Sequence, residues 1–544
     1  MRDSARQRTS VPSLPWPEEP TRQERCAVSA SPGREAARAR WPLTLISCAL
    51  AGACLPVAAA PPRGGAARAP RGNGVTLVTS QTPLWRIPAG LSAFRSVASP
   101  DARRVALLAR SGGGAFVVVV DGAAGRTYDR VPAGPAFCPD GKRVLYAAER
   151  TRKQFVVVDG AEGKPYDQVF HAAFSAEGRH VAYLGRRGTK LFVVLDGTER
   201  GAFDWVDGVV FPPVLSPDGK RLAYVAVHGR PEAHTARVTV DGLPAQRYDA
   251  IAPGSLVLSP DGKRVAYVAY RKGKGQCVVV DGVEGTWHDG IPAGARPVFS
   301  PDGRRLAYAA QRGTRMFVVA DGKEHQAHSW LDAAGIVFSP DGRRLAYSAL
   351  RPGLLGDRHF VVLDGVRQKT QTGSSLTSLT FSPDSRRVAY VVWRSAVSLL
   401  PPDTGYTQSV VVDGAVGKRY DKVAALAFSP NGRRVAYVAF WGTGRLVVVD
   451  GREGKPFALI APPGPLFSPD GRHVAYAACT AKGQARVVID GVECKGLSCM
   501  AMLFEGANAL RVVGRDDEGF VLTKIRIVPR GRTGRDRAGG RAAS

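Results

Sequence analysis

Ten positions set the beat of this chain: Asp101, Asp140, Glu177, Asp218, Asp261, Asp302, Asp341, Asp384, Asn431 and Asp470. Successive members stand 37 to 47 residues apart. Carboxylates held at one level of a closed ring could grip a cation or trade protons with a substrate. Their setting, Ser-Pro-Asp-Gly in most copies, gives each residue a simpler task. Proline fixes φ, the Asp oxygen accepts a backbone N–H two residues on, and glycine takes φ > 0. Asn431 in the ninth copy, with Ala102 and Ser385 at the glycine position, departs from the pattern where a turn tolerates departure. The motif is therefore expected to be architecture.

A second acidic set, Asp129, Asp167, Asp204, Asp249, Asp289 and Asp421, recurs after an aromatic residue, with His328 near that place in the sixth unit. A calcium loop would need a D-x-D-x-D-G run, which is absent. These carboxylates are expected at blade edges, bonding the neighbouring connector. His325 and His328 are three apart, on opposite faces of a strand. No nucleophile elbow, Walker loop, complete dinucleotide fingerprint or paired-cysteine zinc spacing occurs. No catalytic residue, metal or cofactor is expected.

The third set is basic. The segments ERTRKQ, RRGTK, YRKGKGQ, QRGTR and TAKGQAR recur between the second and third strands of the repeat. On one face of a ring they would gather Arg186, Arg187, Lys190, Arg271, Lys272, Lys274, Arg312 and Arg315 into a crown that attracts acidic partners. The plainer reading of the same residues is a solvated surface.

The elements that must position these residues follow from a second marker. Runs such as FVVVDG end at Asp121, Asp159, Asp196, Asp241, Asp281, Asp321, Asp364, Asp413, Asp450 and Asp490, each followed by Gly. One unit reads as four strands: PVFS, the Pro-Asp-Gly turn, RLAYAA, a polar loop, MFVVAD, an Asp-Gly hairpin, and an outer strand like KRYDKV. The strands are β-branched and nearly apolar throughout, which requires burial on both faces. About 40 residues and four strands per unit specify an all-β fold, a β-propeller of ten to eleven blades. Residues 75–90 align with a fourth strand, Trp85 standing at the tyrosine position, and 501–527 with the first three strands of a unit. An eleventh blade would then be shared by both termini and leave no open edge. One large ring and two tandem propellers both fit, the break in the latter falling in 198–215 or 391–410.

The 544 residues carry a formal net charge of +28. Residues 1–60 read as an N-terminal extension and signal peptide, with the apolar run 41–60 behind Arg34, Arg38 and Arg40. Cleavage is expected after Ala59, with lipoprotein processing at Cys54 as the other route. A linker (61–74), the repeats (75–528) and a basic disordered tail (529–544) follow, and the mature chain is expected to lack a membrane span. Cys494 and Cys499 alone are spaced for a disulfide, and two buried thiols serve equally well.

The phrase F/L-S-P-D-G-K/R-R-L/V-A-Y closely resembles the bacterial PD40 repeat, a WD40-like unit of TolB-type periplasmic proteins and prolyl-oligopeptidase propellers. The added VVVDG-x-x-G-x-x-Y-D phrase resembles an exported subset of such proteins. The resemblance implies a propeller that binds proteins, peptides or glycans, and no single activity. The expected function is an exported, periplasmic or secreted, non-enzymatic and monomeric scaffold. Its expected partner is a protein or an acidic glycan or lipid of the envelope, not nucleic acid. The competing reading is a propeller enzyme, a polysaccharide lyase or glycan hydrolase working in the central funnel.

Overall fold

The computed structural model describes residues 75–204, 211–230, 233–292, 294–332, 335–351, 358–368, 375–395 and 406–529. The leader, Cys54 and the tail beyond 529 lie outside these residues. Every described element is a strand, and the strands form eleven antiparallel sheets. Blades 1 to 10 follow chain order, from Leu91–Tyr128 in blade 1 to residues 459–495 in blade 10. Within each, strands pair in sequence order, and in blades 5, 7 and 10 the first strand is split into two short pieces. The eleventh sheet joins Val75–Arg86 to Gly519–Pro529, followed inward by Ala509–Arg515 and Ala501–Phe504. The termini thus close the ring as their sequence alignment predicts.

There is one ring. Apolar clusters span every successive seam, from blades 1 and 2 through blades 10 and 11. A further cluster joins Phe520 and Val513 of blade 11 to Val105 and Leu107 of blade 1. The continuity excludes a break into two propellers. Second strands supply five consecutive buried residues, as in Val144–Ala148, because both faces of each blade pack on neighbours. First strands of neighbouring blades approach one another and line the axis. Fourth strands form the rim.

Local chemistry explains the repeated phrases. In the hairpins the Asp adopts φ near 50° and the Gly near 80°, the left-handed pair that a two-residue hairpin demands. The glycine three residues further on does a different job. In blade 2, Gly163 lies where a Cβ would stand 3.1 Å from the Val156 carbonyl and 3.3 Å from the Tyr183 hydroxyl of blade 3. That closeness lets the tyrosine of one blade seat against the outer strand of the one before.

Candidate functional site

Antiparallel topology puts the Pro-Asp-Gly turns and Asp-Gly hairpins on one face, here the turn face. The basic loops and blade-to-blade connectors occupy the other, the loop face. The turn face is built from interlocking copies of one device. In blade 6, Ser300 donates its buried hydroxyl to Asp302 at 2.5 Å. The same hydroxyl accepts the Arg305 N–H at 2.9 Å, while Asp302 accepts that of Arg304 at 3.2 Å. The Ser300 hydrogen bond, ahead of the other contacts, holds the Asp302 carboxyl below the usual carboxylate range. The acid is consumed inside its own turn, and Asp341 behaves likewise through Ser339.

The two cations after each turn part company. The first, Arg304 or Arg343, is exposed. The second reaches across the seam. Arg305 donates through Nε to hairpin Asp321 at 2.8 Å and through Nη1 to the Arg343 carbonyl of blade 7 at 2.7 Å. Its guanidinium also covers the Phe338 ring of blade 7 at 5.0 Å, so the phenylalanine before the turn has a seam role too. Equivalent Arg–Asp pairs occur in blades 1, 2, 4, 5, 7, 8 and 9, with His180 and His473 substituting in blades 3 and 10. Departures are compensated. Asn431 keeps both acceptor bonds and adds Nδ2 to the Asp470 carbonyl at 2.8 Å. Ser385, at φ 64°, accepts the Asp341 N–H of blade 7 at 3.0 Å.

Across the loop face the second acidic set does the joining. Asp129, Asp167, Asp204, Asp249, Asp289 and Asp421 each accept a loop N–H of the next blade, at 2.6 to 3.0 Å. They stand at blade edges as expected, but their partners lie at the end of the second strand or in the loop after it, not in the connector. At the rim, Tyr166 of blade 2 donates to Glu199 of blade 3 at 2.8 Å, and Tyr420 of blade 8 to Glu453 of blade 9 at 2.8 Å. His288 and His328 replace that tyrosine in blades 5 and 6, against Phe317 and Phe360 respectively. Among the described residues, no cluster of three His, Cys, Asp or Glu side chains is placed to hold a metal. Cys494 is a buried free thiol, so the Cys494–Cys499 bridge is not formed.

The eight basic candidates divide in the same way. Arg187 pairs with Glu199 at 3.2 Å over the Tyr166 and Phe192 rings. Arg271 pairs with Glu284 at 3.4 Å, and Arg312 with Glu324 at 2.7 Å. Lys190 meets Asp204 at 2.5 Å, and Arg186 is half-buried with its carbonyl accepting the Asp167 N–H. Arg186 and Arg187 reach the seam of blades 2 and 3, Arg271 reaches that of blades 4 and 5 through the Tyr248 ring, and Lys190 and Arg312 are held by acids of their own blades. Lys272, Lys274 and Arg315 project into solvent from blades 5 and 6, Lys274 with its ammonium 5.5 Å from the Trp287 ring centre. The turn face balances itself blade by blade, as Arg304 and Arg305 balance Asp302 and Asp321 in blade 6. The net charge of +28 is therefore carried elsewhere, by the loop face, the rim and the termini.

Aromatic residues interleave with this charge. Trp441 closes the second strand of blade 9 and is 54% exposed. Phe440 beside it lies between Lys422 and Arg445, at 5.5 and 5.0 Å. The signal for Trp441 was its place in the repeat: Arg150, Arg187, Arg271, Arg312 and Arg351 end the same strand in other blades.

No family model matches this chain, and no curated protein matches it. Solved structures do. One titled as the eukaryotic initiation factor is 12% identical, covering 74% of this chain and 96% of that one, with a TM-score of 0.37. TolB from Acinetobacter baumannii is 18% identical over 42% of this chain and 64% of its own, TM-score 0.21. The β-propeller domain of the trilobed protease from Pyrococcus furiosus is 11% identical over 57% and 91%, TM-score 0.26. The ring described above rests on this chain's own strand pairing.

Proposed function

We propose that the chain is an exported, non-enzymatic β-propeller scaffold that takes a protein or an anionic glycan or lipid of the cell envelope on its loop face. The observation that carries this is the charge asymmetry: acids and cations of the turn face neutralise one another, while Lys272, Lys274 and Arg315 stand in solvent on the other side. Such a field draws acidic partners and raises their rate of encounter. The recurring carboxylates, which a catalytic funnel would need, have seam or turn tasks. Further support comes from the resemblance of the repeat to the PD40 unit of TolB-type proteins and from the signal-like residues 41–60. A ring with no open edge suits a monomer, and among the described residues no helix is long and apolar enough to cross a membrane. The test is retention of the full chain on an immobilised polyuronate, on polyglutamate and on anionic vesicles across a salt series. Retention on at least one should fall steeply with salt. Salt-independent retention, or retention unchanged when Lys272, Lys274 and Arg315 become Ala, would refute the reading.

A further inference from the structure

The seam of blades 8 and 9 carries an exposed indole where five other blades carry arginine, and the difference points to a ligand. The arginine that ends the second strand in five other blades is replaced by Trp441. Packing does not require an indole there, since arginine serves the same seam elsewhere, yet 54% of it meets water. Lys418, from the outer strand of blade 8, places its ammonium 4.6 Å from the indole centre and 2.8 Å from Glu453. Tyr420 meets the indole edge-on at 6.0 Å. Arg419 and Lys422 are exposed beside them.

We infer that Trp441 is the stacking platform of a subsite for an acidic sugar unit, a uronate residue within a polysaccharide; the inference rests on the loop-face reading above. An exposed indole with an ammonium group over it suits a ring that is apolar on its C–H face and anionic at its edge. Lys418 supplies the countercharge at the ring, and the exposed Arg419 and Lys422 add to the positive field around it. Two carboxylates decide between a sugar and a nucleic acid. Asp421 accepts the Gly442 N–H at 2.6 Å through one oxygen, next to Trp441, and Glu453 sits behind Lys418. Carboxylates accept hydrogen bonds from sugar hydroxyls but repel a phosphodiester chain, whose every unit carries a negative charge. The patch is cationic on balance and rich in acceptors, the chemistry of a hydroxylated acid.

The test uses the full chain, its Trp441→Arg variant, and a Lys272→Ala/Lys274→Ala double variant. Trp441→Arg installs the side chain that five other blades carry at this position, so the seam should form, and it adds a positive charge. Each protein is titrated with polygalacturonate, a neutral glucan, polyglutamate and oligo-dT. The expected result is that wild type prefers polygalacturonate and Trp441→Arg weakens that binding about tenfold, the worth of one stacked ring. Equal or tighter polygalacturonate binding by Trp441→Arg overturns the subsite. If that binding is also lost in the lysine double variant, the loop-face reading survives without it. Preference for oligo-dT or polyglutamate overturns the sugar assignment. No polyanion bound by wild type overturns both readings.

Discussion

The turn face and the loop face are made from the same ten repeats, yet they use charge in opposite ways. On the turn face blades 1, 2 and 4 to 8 each present two cations and two acids, and in blade 6 three of the four are committed: Asp302 to its own turn, Arg305 to the seam, Asp321 to both Arg305 and the Leu306 N–H. On the loop face one carboxylate per blade does the joining in six blades, and cations remain over. The difference teaches where selection for a closed ring ends. A residue that repeats in nearly every blade answers the seam that repeats with it. A residue such as Trp441, which stands where five other blades carry arginine and leaves more than half its side chain in water, points to something outside the ring.

The sharpest way to break the comparison is to crowd a seam on one face and an open loop on the other. Gly303 and Gly273 both have left-handed φ, 72° and 79°. A Cβ on Gly303 would stand 2.8 Å from the Asp261 carboxylate of blade 5, whereas Gly273 has nothing within 4 Å. Gly303→Ala should cost about 3 kcal/mol, backbone strain plus overpacking, and Gly273→Ala about 1 kcal/mol. Urea denaturation of the two variants checks this; equal losses would mean the turns do not interlock.

Next in size is pH. His288 and His328 are 3% and 9% exposed, and burial pushes both below the usual imidazole value. Above pH about 6.5 both folded and unfolded histidines are neutral and stability is level. Below it the unfolded chain takes up protons that the folded chain refuses, so stability falls on acidification, by at most about 1.4 kcal/mol per pH unit per histidine. The seam of blades 6 and 7 should yield first, because His328 faces Arg367 while His288 faces Glu324 as well as Arg312. Hydrogen exchange at pH 5 and 7 reads the seam, and His328→Phe should flatten its response.

Smaller again is the split within a cation pair. Arg305→Ala removes a bond to Asp321 and one across the seam, and should cost about 1–2 kcal/mol. Arg304→Ala, one residue away, should stay within about 0.5 kcal/mol. Thermal unfolding distinguishes them.

Much of this was legible beforehand, and the rest was hidden for a definite reason. The Pro-Asp-Gly turn, the Asp-Gly hairpin and the blade shared by residues 75–86 and 501–529 are local patterns, and local geometry dictates them. The reach of Arg305 to the Arg343 carbonyl spans 38 residues and exists only once the ring closes. The sequence also showed eight basic candidates as equals, although glutamates on the outer strand of the same blade engage Arg187, Arg271 and Arg312 once the blade has folded. Trp441 was visible as an exception to the repeat, but its meaning required knowing that the seam did not need it.

The central claim is that the two faces differ in what their charges are for. Its most direct test removes three exposed cations from each: Lys272, Lys274 and Arg315 to Ala on the loop face, and Arg304, Arg343 and Arg386 to Ala on the turn face. Both triples change the net charge equally, and both leave the seam bonds described above in place. Binding of each to polygalacturonate at low salt is then compared. The account predicts a loss of about tenfold for the loop-face triple and little change for the turn-face triple. Equal losses, or a larger one on the turn face, would contradict it.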